Sequence, residues 1–572
     1  MGPGESAQEL ASRVDRAVEA GDIEAAFALL EPLPRTAPET GRLWMHLGTR
    51  LAMRFAYESA GRALERAVHS GAGAPAHELS AAVHGELGDT PAAERELGLA
   101  VGRDPGSPSL ALADATLLPM VYRDRDDLER WRLRYATRLG AFVAAAPRYA
   151  PRAAEILSMA RSNFLLAYQG RDDRELQELL SGGLESLIRW SHPEWLEPRP
   201  ALPRERLRVG FVSAFLHDCT VGRYFSSWIL GLDPRRFEVR AYVTGPAHDA
   251  FTQRIASGCA RFVQADRPVA EIARLLQGEQ LDVLVFPEIG MDARTRLLAC
   301  MRLAPVQAAG WGHPQTTGSR HIDAFLSCAE MEAEGSQAHY TERLVTLPGL
   351  GVDYAAPEVP PPFERAQLGF DEGQHLVFVP HSLFKLHPDG DEVLADVLAA
   401  DPRAVLVVFQ GQSSGKPAAL AFIDRLLAAL RGRGVPPARQ VKLLPRLAPV
   451  EFRRALQLAD VVVDPLHWSG GNTSLDALAC GVPVATCPGP LMRSRQSAAM
   501  LVRLGVPELV ARSPGELVRV ALEVASRREL RESLAARIRG HREDLLGPAG
   551  GTEAFSRALT RLAAQGEGAA RS

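Results

Sequence analysis

Two consecutive series of short apolar runs, separated by helical stretches, constrain the fold of this chain more than any other feature. The first series is LRVGFVSA (207–214), FEVRAYVT (237–244), LDVLVFP (281–287), VQAAGWG (306–312) and IDAFLSC (322–328). The second is HLVFVP (375–380), AVLVVFQ (404–410), QVKLLP (440–445), ADVVVDPL (459–466) and VPVATCP (482–488). Near-continuous apolar runs suit strands buried on both faces, and segments such as VAEIARLLQGEQ supply crossover helices, so each series predicts a parallel sheet. Proline-rich breaks precede both series, SHPEWLEPRPALPRER at 191–206 and YAAPEVPPPFERA at 354–366. The chain therefore reads as two α/β domains in tandem. Ligands of open parallel sheets sit beyond the carboxyl ends of the strands, so two such domains facing a cleft give one site with two walls.

The first 190 residues differ: Leu, Ala and Arg recur at helical spacing with few β-branched runs, which predicts an all-α region. Ala26, Ala60 and Ala93 lie 34 and 33 residues apart, and Leu30, Leu64 and Leu97 keep the same spacing. Each unit then meets proline, at Pro38, Pro75 and Pro105. That period suits tetratricopeptide-like helical hairpins, in which small residues let helices approach. The alternative is a plain helical bundle.

At 572 residues and 46% hydrophobic content the chain can build about three domains. Its 65 Lys and Arg nearly balance 69 Asp and Glu, and a net charge of −4 gives no electrostatic case for nucleic acid or a membrane surface. MGPGESAQELASRVDRAVEAGD lacks an apolar signal core, and no apolar stretch approaches the roughly 20 residues that span a bilayer, so a cytoplasmic location is expected. The six cysteines (219, 259, 300, 328, 480 and 487) form no CxxC pair, which fits reduced thiols and implies no structural metal.

Chemistry concentrates at strand ends. SGGNTSLDALACGVP (469–483) follows an apolar strand and opens a helix; its glycine pair, then Asn472, Thr473 and Ser474, places backbone amides and small hydroxyls where a helix N-terminus holds phosphate. HSLFKLHP places His381, Ser382 and Lys385 after the second domain's first strand, where a lysine can bind a diphosphate and steady its charge as it leaves. A solvated surface lysine is the bland alternative. GWGHPQTTGS offers glycines for close approach, with His313, Thr316 and Thr317 as hydrogen-bonding groups, or is simply a tight turn. The DxD patterns Asp124 to Asp126 and Asp389 to Asp391 read as solvated or capping carboxylates.

Residues 207–223 (LRVGFVSAFLHDCTVGR), 303–319 (LAPVQAAGWGHPQTTGS), 380–388 (PHSLFKLHP) and 459–500, found together in this order, resemble the bacterial SPINDLY-like branch of the O-linked N-acetylglucosamine transferase family. LPMVYRDRDDLERWRLRY (118–135) and NFLLAYQGRDDRELQ (163–177) are similar to the helical region that precedes the catalytic half in these proteins. The resemblance implies a GT-B type α/β fold, two Rossmann-like lobes facing a cleft behind an all-α, TPR-like domain. The corresponding division is 1–190 helical, 203–355 the N-terminal, acceptor-side lobe, 363–548 the nucleotide-sugar lobe, and 549–572 a terminal helix or tail.

It further implies an inverting, metal-independent transferase that moves a sugar, N-acetylglucosamine or another hexose, from a nucleotide donor, UDP-linked in this family, to a protein side chain. The donor is a substrate; no cofactor and no metal are expected. By the family's pattern Lys385 binds the donor diphosphate with Ser382 beside it. Gly471, Asn472, Thr473 and Ser474 cap the phosphates, and Asp476 occupies the acidic position associated with the ribose. Gly312, His313, Pro314, Thr316 and Thr317 form the loop near the donor sugar, while Leu444 to Leu447 fall where the family places the base. Arg493 and Arg495 either add positive charge or form a salt bridge inside the lobe.

The family's first-lobe loop offers a histidine where this chain has Cys219, just after His217 and Asp218. The general base therefore stays open among His217, Asp218 and the donor's own phosphate oxygens, with Asp282 and Glu288 in the neighbouring LDVLVFPEIGMD segment. PEIGMD and GHPQTT also resemble the cytoplasmic asparagine glucosyltransferases that modify bacterial adhesins, so Ser/Thr oxygen and Asn nitrogen are both open as acceptors. Two other functions remain: a catalytically silent nucleotide-sugar-binding scaffold, and a transferase acting on a small molecule or glycan. Self-association through the helical region is open too.

Overall fold

The computed structural model describes residues 6–34, 36–410, 416–436, 440–548 and 550–569. They form two compact units, one of Met1–Phe142 with Ser382–Phe384 and Gln410–Arg425, the other of Val143–His381, Lys385–Phe409 and Leu426–Ser572.

The first unit begins with three helical hairpins: Ala7–Glu19 with Ile23–Leu30, Pro38–Met53 with Tyr57–His69, and Ala74–Leu87 with Thr90–Arg103. Local chemistry sets their starts. Ser6 and Glu9 form a capping box, Asp22 and Asp89 cap the second helices of the first and third hairpins, and Pro38 and Pro75 sit in first turns where no amide hydrogen is needed. The periodic residues fall on those second helices and are buried: Ala26, Ala60 and Ala93, with Leu30, Leu64 and Leu97 one turn further on. Gly48 lies so close to Leu64 that a Cβ there would come within 2.7 Å of its Cγ, the close approach a small-residue period produces. Pro105 does not open a helix; the next one is Pro108–Ala115, capped by Ser107.

The second unit holds two sheets. The first has seven strands: β1 (Leu207–Ser213), β2 (Phe237–Val243), β3 (Arg261–Gln264), β4 (Val283–Phe286), β5 (Val306–Gly310), β6 (Ala324–Cys328) and β7 (Arg343–Leu347). Their order is β3-β2-β1-β4-β5-β6-β7. The second has β8 (His375–Val379), β9 (Ala404–Phe409), β10 (Val441–Leu444), β11 (Val461–Val463) and β12 (Val484–Ala485), ordered β10-β9-β8-β11-β12. Every ladder is parallel. Both sheets therefore reverse direction once, between β1 and β4 and between β8 and β11, and at such switch points the loops diverge and leave a crevice.

Further segments beyond the sheets belong to this unit. Helix Arg174–Ser191 and the short turns Ala146–Ser158 and Phe164–Gln169 belong here, not with the hairpins. Helix Gly551–Ala569 returns to the first sheet's layer, where Phe555 stacks on Trp228 with ring centroids 4.2 Å apart. Residues 549 and 570–572 of the expected terminal segment lie outside the described residues. Among the described residues no helix is long and apolar enough to cross a membrane.

Leu64 is fully buried in the hairpin core. Leu64→Ala is expected to destabilise the protein by about 2–5 kcal/mol in urea unfolding, and Leu64→Met by less than about 1.5 kcal/mol, because only the first leaves a cavity.

Candidate functional site

The carboxyl edges of the two sheets carry the sequence-predicted residues. At the second switch point β11 ends in Asp464, whose carboxylate is buried. It accepts hydrogen bonds from Gly470 N at 2.6 Å and from Thr486 Oγ1 at 2.8 Å, and His381 Nε2, just past β8, lies 3.3 Å from its Oδ1. Burial lowers the His381 pKa. Lys385 follows on the short turn Leu383–Lys385, with Nζ 5.8 Å from the centroid of the Trp468 ring. Burial pulls its pKa down to about 8 against the opposing pull of Asp464. The glycine-rich turn bonds this aspartate, and Lys385 feels its charge. Ser382 is half-buried and groups with the helical unit.

Gly470 admits no side chain: a Cβ would come within 2.8 Å of His381 Nε2 and closer still to Ser474 Oγ. Gly471 is the N-cap of helix Asn472–Ala479 and gives it no side-chain cap, so the helix's first amides have no acceptor from the cap residue. The three residues after it differ. Asn472 and Thr473 are half-buried, whereas Ser474 is fully buried and its hydroxyl pairs with Ser497 Oγ at 2.8 Å. The expected phosphate-capping hydroxyl of Ser474 is therefore turned into the lobe, because the third residue of this first turn points back toward the sheet. Asn472 takes the Tyr354 hydroxyl on Oδ1 and donates to Asp476 Oδ2 at 2.9 Å. Asp476 is buried with no hydrogen bond to Oδ1, and burial pushes its carboxyl up to about 6 despite Arg453 3.8 Å from that oxygen. Leu444 closes β10 and is buried; Leu447 is half-buried in the loop beyond it.

In the first lobe β5 runs into Gly312, which approaches the β4 end so closely that a Cβ would lie 2.8 Å from Pro287 O. His313 follows, buried, its ring centroid 5.3 Å from Phe164 and 5.7 Å from Trp468. Burial, then the charges of Arg493, Arg296 and Lys385, bring its pKa to about 3, so it is a neutral imidazole. Tyr168 packs on Trp468 with ring centroids 4.1 Å apart and planes tilted by 34°. Trp468 thus has His313 of one lobe and Lys385 of the other as neighbours.

Pro314, Thr316 and Thr317 are buried as well. The Thr316 hydroxyl donates to Glu342 Oε2 at 2.7 Å, and Thr317 gives Glu342 both its amide, at 2.8 Å, and its hydroxyl. These threonines hold the loop in shape. Gln315 Nε2 donates to Asp173 Oδ2 at 2.7 Å, and Arg493 of the second lobe reaches the same oxygen at 2.9 Å. Arg493 is therefore an ion pair with the connecting segment, not a pair within its own lobe. Arg495 donates to Gly489 O at 3.1 Å.

After β1, His217 is half-buried and Asp218 exposed. Arg223 Nε donates to Asp218 Oδ1 at 2.7 Å, which engages that carboxylate. Cys219 is the N-cap of helix Thr220–Leu230, and burial raises its thiol to about 11, so it stays protonated. Glu288 lies at the β4 end, fully buried, accepting from Ser213 Oγ at 3.0 Å; burial raises its pKa well above the carboxylate range. Asp282 sits before β4, on the opposite edge, where it accepts from Arg208 N at 2.8 Å, so it is outside the cleft. His387, Asp389 and His467 bring ligand atoms within 4.8 Å of one another, although His467 Nε2 already bonds Asp389 Oδ2 at 2.7 Å.

Asp464, Trp468, Tyr168 and Asp173 escaped the sequence reading as site residues. Asp464 carries a positional signal, being the first residue after an apolar run; the other three become neighbours only through folding.

Two doubly wound lobes, with a lysine and an uncapped helix start at the second switch point, define a GT-B type fold. Residues 363–546 match the profile of glycosyl transferase family 41. Two plant proteins named as probable UDP-N-acetylglucosamine–peptide N-acetylglucosaminyltransferase SPINDLY are similar. That of Solanum lycopersicum is 27% identical over 337 residues, 57% of this chain and 35% of its own length. That of Oryza sativa subsp. japonica is 28% identical over 385 residues, 65% and 40% respectively. A UDP-glucose:protein N-beta-glucosyltransferase of Actinobacillus pleuropneumoniae is 27% identical over 258 residues, 44% of this chain and 39% of its own length. The chain spans well under half the length of these relatives. Among solved structures, an O-GlcNAc transferase mutant from Thermobaculum terrenum superposes with a TM-score of 0.74 at 24% identity, covering 99% of this chain and 98% of that one. The chain is thus similar to these protein glycosyltransferases over its α/β half, carries a family 41 segment at 363–546, and shares its fold with the Thermobaculum structure.

Asp476 supplies a pH test. A carboxyl held at about 6 in the fold and near its ordinary value unfolded favours the folded state when protonated, so its contribution falls as pH rises from about 4 to about 6. Urea unfolding across that window should show Asp476→Asn gaining on the native protein by up to roughly 3 kcal/mol; parallel curves would show that Asp476 does not titrate there.

Proposed function

We propose that this chain is an inverting, metal-independent glycosyltransferase that moves a hexose, N-acetylglucosamine in the first place, from UDP to a protein side chain. One arrangement carries the reading: the Gly470 amide, just before the uncapped start of helix Asn472–Ala479, bonds Asp464, whose charge acts on Lys385, and Lys385 and His313 of the other lobe both neighbour Trp468. The similarity to protein glycosyltransferases supports a protein as the acceptor.

In this reading the acceptor oxygen or nitrogen attacks the anomeric carbon from the face opposite the leaving group. The carbon–oxygen bond to the diphosphate breaks, and UDP departs with the bonding pair. Lys385 and the helix amides hold the growing negative charge with fixed donors, which is worth most in a dry cleft. His313, kept neutral, adds no charge to repel the oxocarbenium-like sugar. The acceptor proton goes to His217, the member of the His217–Asp218 pair that Arg223 does not engage.

The second reading is a sugar-nucleotide-binding scaffold without transfer. It is favoured by Cys219, whose thiol, raised to about 11, cannot serve as a base where the family offers histidine.

Incubation with labelled UDP-sugars and cell lysate, followed by mass spectrometry of the proteins, separates the two. Lys385→Ala should lower transfer on the order of 10²-fold or more while the melting temperature stays within a few degrees. UDP binding by calorimetry without transfer from any donor would establish the scaffold instead. Dialysis against EDTA should leave the rate within about twofold; loss of activity restored by a divalent cation would direct attention to His387, Asp389 and His467.

A further inference from the structure

A second cavity, of about 600 Å³, opens on the other edge of the first lobe. Val306 and Arg343, the first residues of β5 and β7, line it, so it lies at the amino ends of strands whose carboxyl ends face the cleft. At roughly 3.3 Å per residue the five-residue β5 separates the two by about 15 Å. Five arginines line the cavity, Arg189, Arg199, Arg302, Arg320 and Arg343, together with His321.

Two carboxylates answer these five guanidinium groups. Asp323 pairs with Arg302 at 2.7 Å, and Glu185 takes Arg189 at 2.6 Å and Arg320 as well. His321 Nε2 lies 3.5 Å from Glu185 Oε2, buried and without a hydrogen bond. Among the described residues Arg199 donates to the carbonyls of Glu194 at 2.7 Å and Arg302 at 3.2 Å. Arg343 is exposed, and among the described residues its side chain makes no hydrogen bond or ion pair. The wall thus carries an excess of three positive charges, concentrated where planar forks can grip phosphate. Leu196, Pro198 and Leu562 supply an apolar flank.

We propose that this cavity binds a phosphorylated small molecule of nucleotide size, separately from the donor cleft. The volume falls in the range of small-molecule sites and is far larger than a bare inorganic anion fills. The mixed wall suits a ligand with one anionic end and one apolar, ring-bearing end. Occupancy also bears on the cleft, because a phosphate competes with Glu185 for Arg320. Glu185 lies on helix Arg174–Ser191, whose Ser181 Oγ donates to Thr317 O at 2.9 Å and so holds the His313 loop.

The test is calorimetry on the full chain with the donor cleft saturated by UDP. ADP should bind saturably at one site per chain, and inorganic phosphate at least tenfold more weakly. Arg199→Glu with Arg343→Glu should weaken ADP at least tenfold without altering UDP affinity measured in its absence, and Lys385→Ala should leave ADP binding intact. Should the double variant melt early, the exposed Arg343→Gln alone serves, with a smaller loss expected. Absence of ADP binding, equal binding by the arginine variants, or binding of a polyglutamate peptide in place of ADP would each overturn the proposal.

Discussion

A buried carboxylate at the end of a central strand organises the second lobe. Taking the charge of Asp464 out of water costs several kcal/mol unless donors and opposite charge surround it. The chain meets that demand with the Gly470 amide, the Thr486 hydroxyl, the edge of His381 and the nearby ammonium of Lys385. The amide of Gly470 reaches the carboxylate only if the turn folds tightly over it, which leaves no room for a Cβ and delivers the next residue, Gly471, as an uncapped helix start. One ionised group therefore accounts for the glycine, for the direction of the helix and for a lysine held half out of water.

The two lobes need a fixed relation for such a cleft to close on one ligand, and the connecting segment supplies it. Asp173 is buried between Gln315 of the first lobe and Arg493 of the second, and both donate to the same oxygen. Arg296 extends the arrangement, donating to Gln177, Ser181 and the Thr317 carbonyl. Removing one partner of such a buried set leaves the others uncompensated, so the set acts as a single joint whose loss would loosen the His313 loop and the Arg493 turn together.

Much of this was legible in the sequence, for physical reasons. The ten apolar runs became ten parallel strands because burial on both faces writes itself as continuous hydrophobicity. Two strands were missed: β3, RFVQ, and β7, RLVTL, are short, charged at their first residue and, at the sheet's two edges, only partly buried, so no apolar run announces them. The hairpin period was visible because alanine and leucine recur where helices touch. The proline break at 191–206 hid a different fact, that helix Arg174–Ser191 packs with the lobes: helical periodicity reports that a face is buried, not against what. At the site, Lys385 and the glycine turn could be paired by strand-end logic, whereas the inward turn of Ser474 depends on Ser497, more than twenty positions away.

The pKa order within the cleft constrains how a dianionic ligand is received. His313, brought by burial to about 3, is neutral near pH 7, whereas Lys385, pulled by burial to about 8, is largely cationic at pH 7 and loses that charge within about a unit above it. Under the proposed function, a diphosphate beside Lys385 would stabilise the ammonium and raise that value, so binding near pH 8 would draw a proton from solvent onto Lys385. A lysine fully exposed to water would keep its charge throughout and lack this dependence. Partial burial against Asp464 and Trp468 thus couples the strength of the anion site to whether the anion is present.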